Sequence, residues 1–464
     1  MLVVGGGNAG LCAAIAARQA GASVLLLEQA PTEMRGGSSR HGRNLRLAHD
    51  FPTAYQRETY TEAAFWDDLV RVTGADTDEA LARLAIAETA GLADWMQRCG
   101  VEFQLPPRGA LPPSRKTAFL LGGGKALLNA YYRTAERLGV RILYNSGAAS
   151  VRPGADECEI ISHGMPRVVQ AKAVVLACGG PQANMGWLRQ HLGEVADGLV
   201  VRGSSEADGR VMFDLLAQGA APVGDPTRCH IVAVDGRAPA FDGGIVTRLD
   251  CVPYSIVVDR HGRRFHDEAA SIGPERYAIW GELVARCPGQ IAHAIFDATA
   301  ETLFRPSIFP PIRAATLAGL AEKLAIDPGT LIATVEAFNQ AVSQDRTAGH
   351  TPPKTRLARK LLMPPFSSTP MRPGITFAAF GLRVDAQARV LMSDGQPAAN
   401  IFAAGLIMAA NVLGRGYLAG MGLTIGTIFG RIAGRQAAEW ANVSWFKSDA
   451  WYRDRGQFGV ESGR

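Results

Sequence analysis

The first 28 residues, MLVVGGGNAGLCAAIAARQAGASVLLLE, place two short apolar runs on either side of a stretch of alanine, glycine and a late Arg18. Runs as short and as wholly apolar as LVV and VLLL predict buried strands, and NAGLCAAIAARQ between them predicts a small-residue helix. Together they form one βαβ unit. The pattern returns at AVVLACGG (173–180), an apolar strand that ends in Gly179 and Gly180. It returns again over 400–438, where NIFAAG reads as a strand, is followed by glycine-rich turns, and leads into a second small-residue helix. AGHTPPKTRLARKLLMPP (348–365), rich in proline and basic residues, predicts a linker.

Composition narrows the class. At 464 residues, 47% hydrophobic and 20% charged, the chain can bury a large core and divides into two or three domains. The formal charge of +5 comes without a Lys/Arg run, which argues against nucleic acid as a partner. Seven scattered cysteines with no C-x-x-C pair argue against zinc, iron-sulfur clusters and a disulfide framework, so no metal is expected and the thiols suit the cytoplasm. Residues 2–27 are broken by glycines, Arg18 and Gln19, and read as neither a signal peptide nor a membrane span. The first strand starts at the second residue, an abrupt opening that leaves room for a few residues upstream.

The chemistry begins at the glycines. Gly5, Gly7 and Gly10 satisfy G-x-G-x-x-G between a strand and a helix, and Glu28 ends the next strand 18 residues after Gly10. In that context Gly5 makes the tight turn, and Gly7 lets a pyrophosphate reach the helix amides at Asn8 and Ala9. Gly10 lets the helix lie close on the sheet, and Glu28 accepts hydrogen bonds from an adenosine ribose. A dinucleotide is therefore expected, and a single such fingerprint makes hydride transfer to NAD improbable. MRGGSSRHGRNLR (34–46) adds amides and hydroxyls at Gly36, Gly37, Ser38 and Ser39, next to a basic cluster of Arg40, His41, Arg43 and Arg46. GGGKA (122–126) lacks the spacing and the Ser/Thr of a phosphate loop.

These four segments, in this order, resemble the FAD-containing flavoprotein subunits of the fumarate reductase and succinate dehydrogenase superfamily from end to end. SSEADGRVMFDLLAQGA (204–220) looks like that superfamily's glycine-aspartate turn and helix, with Asp208 and Gly209 matching; IVVDRHGRRFHDE (256–268) looks like its capping hairpin and 316–342 like its surface helices. The resemblance implies an α/β fold. A Rossmann-like FAD-binding domain, split into 1–220 and 351–464, carries an inserted α+β capping domain at 221–350. It adds Gly180, Asp208 and Gly405 to the cofactor-binding residues. It also adds Gly422, Leu423 and Thr424, whose amides would open the last helix toward the flavin. Leu406 stands where the family has a glutamate, and His41 is about two positions from the family's flavin-linked histidine, so non-covalent FAD is expected.

GGSSRHGRNLR, FLLGGGKALLNAYYRTAERLGV and ANVLGRGYLAGMGLTIGTIFGRIAG further resemble the FAD-dependent tricarballylate dehydrogenases. That likeness implies oxidation of tricarballylate to cis-aconitate, with electrons passed to a separate, membrane-bound iron-sulfur partner from a cytoplasmic position. The fumarate reductase likeness implies Arg276 in the proton step, Arg415 as a carboxylate ligand and His230 beside the substrate; Tyr417 aligns with a carbonyl-polarising tyrosine of the ketosteroid dehydrogenases, and the basic cluster beside the glycine pair offers Arg43 as a further carboxylate ligand. The family's proton-relay acid and arginine align with Arg248 and Cys251, so that relay is not preserved. Three other readings remain: a precorrin-oxidising flavoprotein, an enzyme of fumarate reductase or ketosteroid dehydrogenase type, and a scaffold or relay subunit without substrate chemistry of its own.

Overall fold

The computed structural model describes residues 1–105, 116–244, 249–273 and 275–454, with side chains to 442 in the final helix. Arg248 lies outside the described residues. The strands Leu2–Val4 and Leu25–Leu27 pair in parallel through Leu2 with Leu25 and Val4 with Leu27, and the helix Asn8–Gln19 joins them. They are the centre of a six-stranded sheet that runs Arg389–Leu391, Pro397–Ala403, Val174–Leu176, Leu2–Val4, Leu25–Leu27, Arg141–Leu143. Five strands are parallel and the first is antiparallel to its neighbour. Three-residue, all-apolar strands are what a doubly covered parallel sheet calls for, because neither face meets water.

Two helices pack against each other beside this sheet, Asn8–Gln19 and the long Met421–Asp454. Gly426, Gly430 and Gly434 recur every fourth residue and share one helix face. A Cβ at Gly430 would overlap the Ala9 carbonyl oxygen, and one at Gly434 that of Ala13. Asn8 fastens the crossing, its Nδ2 donating to the Leu423 carbonyl at 3.0 Å and to Thr427 Oγ1 at 3.1 Å. The first turns of both helices are thereby brought together.

A second sheet is organised by one long strand, Phe366–Leu382, which pairs with Val200–Val201, Pro222–Asp235, Ala292–Phe296 and Ile312–Ala314, with Ile256–Asp259 beyond. The expected hairpin at 256–268 is short: past the turn its second arm makes one bridge, Val258 to Arg264. Arg264 then folds back on Glu268 with a 2.7 Å ion pair that is almost wholly buried. The 348–365 segment also differs from a loose linker. Lys354, 1% exposed, donates to the carbonyls of Pro253 (2.9 Å) and Ser255 (2.6 Å) and lies 3.6 Å from Glu268. A buried ammonium is costly unless it is paired, so this segment is fastened to the second sheet's helices and loops rather than solvated.

Candidate active site

A cleft opens at the carboxyl end of the central strands, between the two helix N-termini. Its walls are Gly5 to Ala9, Glu28, Gly36 to Ser39, Ser146, Gly147, Cys178, Gly179, Gln182, Ser204, Glu206, Gly405, Leu406, Gly422 and Gly426. Gly10 explains the closeness of its floor: a Cβ there would overlap the Gly5 carbonyl oxygen. Gly7 caps the first helix and has no side chain to satisfy the first-turn amides, of which Asn8 N is met by Ser39 Oγ at 3.0 Å. Glu28, 5% exposed, accepts from Ala30 N (3.0 Å), Gly36 N (2.8 Å) and the Tyr132 hydroxyl (3.3 Å). Burial pushes its carboxyl up, and the Ala30 and Gly36 amides oppose that shift. Three acceptor sites are used of about four that a carboxylate offers, which leaves one for a ribose hydroxyl. Gln182 Oε1 is buried in the wall without a partner.

Unspent helix amides, an acid with acceptor capacity and an orphaned amide oxygen fit FAD. Gly5, Gly7, Asn8, Ala9, Glu28, Gly36, Gly37, Ser38, Ser39, Gly405 and Gly422 all line this one cleft. The structure uses the other candidates differently. Gly10 lies under the floor. Thr424, fully buried, bonds both N and O of Arg46 through its hydroxyl. Leu423 supplies the carbonyl for Asn8, and Asp208 caps Arg210 N at 3.0 Å while its other oxygen pairs with the Arg210 side chain. Gly180 stands beside Gly179, against Gln182. Tyr132 had no motif to mark it, yet it braces the acid, its one hydroxyl proton shared between Glu28 and the nearer Gly6 carbonyl at 2.9 Å.

Beyond Gly422 a second group of side chains converges. Tyr417 has its hydroxyl 3.6 Å from where a Gly422 Cβ would stand, and its ring stacks on His230 with centroids 4.0 Å apart. Arg276, 7% exposed and first in the helix Arg276–Ala285, donates to Asp250 Oδ1 at 2.5 Å and to the carbonyls of Ile272 and Gly273. The Tyr277 hydroxyl reaches the same Asp250 oxygen at 3.1 Å. Arg43 extends from the opposite side, its guanidinium 5.3 Å from the centre of the Tyr277 ring.

The basic cluster at 40–46 divides. Arg46 is consumed by Asp68 (3.1 Å), Tyr60 and the Ala419 carbonyl, while Arg40 and His41 meet Asp242, at 3.8 and 2.8 Å. Among the described residues Arg43 has no acidic partner. Arg415 is not brought to this group. It is exposed and its guanidinium lies beside Gly74, because Gly414 and Gly416 pack against Asp76 and Val72. Cys251 is buried and its thiol is pushed up to about 12 by burial, so it cannot stand in for an arginine.

Arg202 carried no sequence signal. It follows the two-residue strand Val200–Val201, its backbone N donates to Ile375 O at 3.0 Å, and Nη1 donates to Thr376 Oγ1 at 2.8 Å. Desolvation first, and then the neighbouring charge of Arg43, bring its guanidinium down to about 10. Burial, reinforced by Arg202, pushes His230 down to about 3, so its ring is neutral at working pH. Burial pushes Tyr417 up.

The FAD binding domain model matches residues 1–423. The chain belongs to that family. FAD is its cofactor, and the relatives this flavoprotein matches are named as oxidoreductases. It is similar to NADH:fumarate oxidoreductase of Klebsiella pneumoniae (24% identical, covering 95% of this chain and 47% of that protein). It is similar also to digoxin reductase of Eggerthella lenta (25%, covering 94% and 86%). The flavoprotein thus spans about half the length of the Klebsiella relative. Among solved structures, the open conformation of a flavocytochrome c3 fumarate reductase superposes with a TM-score of 0.80 at 22% identity, over 95% of this chain and 78% of that one.

Among the described residues no helix is long and apolar enough to cross a membrane, and no group of three His, Cys, Asp or Glu side chains could hold a metal. His293, 4% exposed with its Nδ1 unpartnered, makes the flavoprotein acid-labile in a predictable sense. Burial pushes its ring down to about 4 from an ordinary value near 6.5. Between those values the unfolded chain binds the proton and the folded chain does not, so stability falls as pH falls through 6.5 toward 4. The loss is about 2 kcal/mol by pH 5. Urea midpoints measured at pH 7 and 5 should differ accordingly, and His293→Gln should shrink the difference; an unchanged pH dependence in that variant would refute the assignment.

Proposed function

We propose that this flavoprotein dehydrogenates a small polycarboxylate, with tricarballylate to cis-aconitate as the first candidate, and hands the electrons to a separate acceptor. The carrying observation is the trio Arg276, Asp250 and Tyr277 beside Arg43, a cation without an acidic partner among the described residues. FAD held in the cleft by the first-helix amides and Glu28 would supply the acceptor for a hydride removed from one substrate carbon. The neighbouring carbon loses a proton, and a double bond forms between the two. Arginine stays protonated in proteins, so Arg276 takes that proton only as it releases another to Asp250 Oδ1. Arg43 holds a substrate carboxylate and steadies charge as it develops on the adjoining carbon. His230, neutral, stacks on the protonated Tyr417.

The division into an FAD unit, 1–220 with 351–464, and a capping unit, 221–350, belongs to this reading. So do non-covalent FAD, a cytoplasmic position, and an iron-sulfur acceptor at the membrane. A second reading runs the same site as a reductase, and the permanently charged Arg276 favours it, since a guanidinium donates more readily than it accepts. Anaerobic absorbance of the purified holoprotein separates the two. Tricarballylate should bleach the oxidised flavin while succinate, citrate and a steroid leave it unchanged. Recolouring of chemically reduced protein by cis-aconitate or fumarate, without bleaching by tricarballylate, would support the reductase. No response to any polycarboxylate would sink both.

A further inference from the structure

Arg202 and Arg43 bring two guanidinium groups near enough for the charge of one to act on the other. They arrive from different parts of the chain, and among the described residues neither has an ion pair. Like charges that approach each other are destabilising unless an anion lies between them, so the arrangement calls for a ligand. Arg202 is built to be rigid. Val200–Val201 is paired in parallel with Gly374–Ile375, and Thr376 Oγ1 fixes Nη1. Glycines at 244 and 374 leave no room for a Cβ against the arginine stem. Among the described residues its Nε is buried without a partner, and a buried N–H left unpaired is costly enough that native structures seldom keep one without cause. The chain then runs directly into the cleft: a Cβ at Gly203 would collide with Ser38, and Ser204 is part of the wall. Around the arginine stand His41, His230, Tyr277 and Tyr417, each coupled to it electrostatically.

We propose that Arg202 forms a carboxylate subsite apart from the Arg276–Asp250 pair, next to the Arg43 that holds the first carboxylate, and that it reads a further carboxylate of the substrate. The assignment rests on the polycarboxylate reading given above and deepens it. Planar Nε–H and Nη–H donors suit the two oxygens of a carboxylate, with Thr376 holding the remaining side of the fork. A dicarboxylate would occupy the Arg276 side and leave Arg202 unpaired. A tricarboxylate would satisfy both, so the subsite sets a preference for three carboxylates over two.

Calorimetric titration of anaerobic, FAD-loaded protein at matched ionic strength tests this with tricarballylate and with glutarate, which has the same five-carbon backbone and no central carboxylate. Wild type should bind tricarballylate at least tenfold more tightly than glutarate. Arg202→Gln should reduce that ratio to threefold or less with normal FAD content, and Arg202→Lys, which keeps the charge but loses the fork, should fall between. Equal affinities in wild type, or an undiminished ratio in Arg202→Gln, would overturn the subsite. The turnover reading fails separately. If tricarballylate binds with the expected ratio, lost in Arg202→Gln, yet bleaches no flavin, the subsite stands and the dehydrogenase assignment falls.

Discussion

Arg276→Gln protein, loaded with FAD to the wild-type level, should reduce its flavin with tricarballylate about a thousandfold more slowly, the scale on which a positioned proton-transfer group contributes. Glutamine is long enough to keep a hydrogen bond near Asp250 but cannot exchange a proton with it. Arg276→Lys tests charge against geometry: it restores a cation without the fork that binds Asp250 Oδ1 and the Ile272 and Gly273 carbonyls together, and it should recover only part of the rate. Asp250→Asn removes the carboxylate behind the arginine and leaves its shape. That variant should lose at least a hundredfold, with a flattened pH profile. Stopped-flow reduction is the measurement, and rates within tenfold of wild type for both Arg276 variants would move the proton step elsewhere.

The other large effect separates two glycines of one motif. Gly10→Val should yield protein with less than a tenth of the wild-type FAD and a much reduced melting temperature even without cofactor. Its Cβ would overlap a backbone carbonyl, that of Gly5, which cannot rotate away as a side chain can. Gly7→Ala should behave otherwise. A Cβ there meets Ser39 Oγ at 3.4 Å and Gly36 O at 3.5 Å, ordinary contacts that the folded chain accommodates. The apoprotein should melt as wild type does while FAD binds at least tenfold more weakly, because the methyl group enters space beside the helix amides. Fluorescence-detected FAD titration and thermal melts of the two apoproteins decide the matter; matching behaviour would show that both glycines serve the fold alone.

Much of the cofactor cleft could be read in advance because its determinants are local. A strand of three apolar residues, a glycine turn and a small-residue helix are neighbours in sequence, and the glycine pair at 36–37 lies one strand further on. The substrate side was legible only as residue types. Arg202 gathers neighbours from positions 41, 43, 230, 277 and 417, and a two-residue strand before it gives no periodicity to notice. Asp250 and Tyr277 likewise acquire meaning only when the helix at 276–285 is packed beside them. Arg415 entered by resemblance alone, and the packing of Gly414 and Gly416 on residues 72–76, which turns it out to solvent, is not written in its own segment. The proline and basic residues at 348–365 were legible as a linker; its fastening through Lys354 beside the desolvated carboxylate of Glu268, several elements away, was not.

The strand Phe366–Leu382 threads successive apolar clusters: Phe366 packs on one, Met371 belongs to another, Ile375 to a third, and Phe377 and Leu382 to the large core around the cleft. Its partner Pro222–Asp235 runs antiparallel along it, with register shifts between Gly224 and Cys229 and between His230 and Ile231. Mechanically this ribbon is a leaf spring rather than a pair of loose hinges. Displacement of the Arg276 end relative to the cleft must be taken up by bending where the pairing is irregular, and one of those places carries His230. Any displacement along the ribbon would therefore fall on the His230–Tyr417 stack.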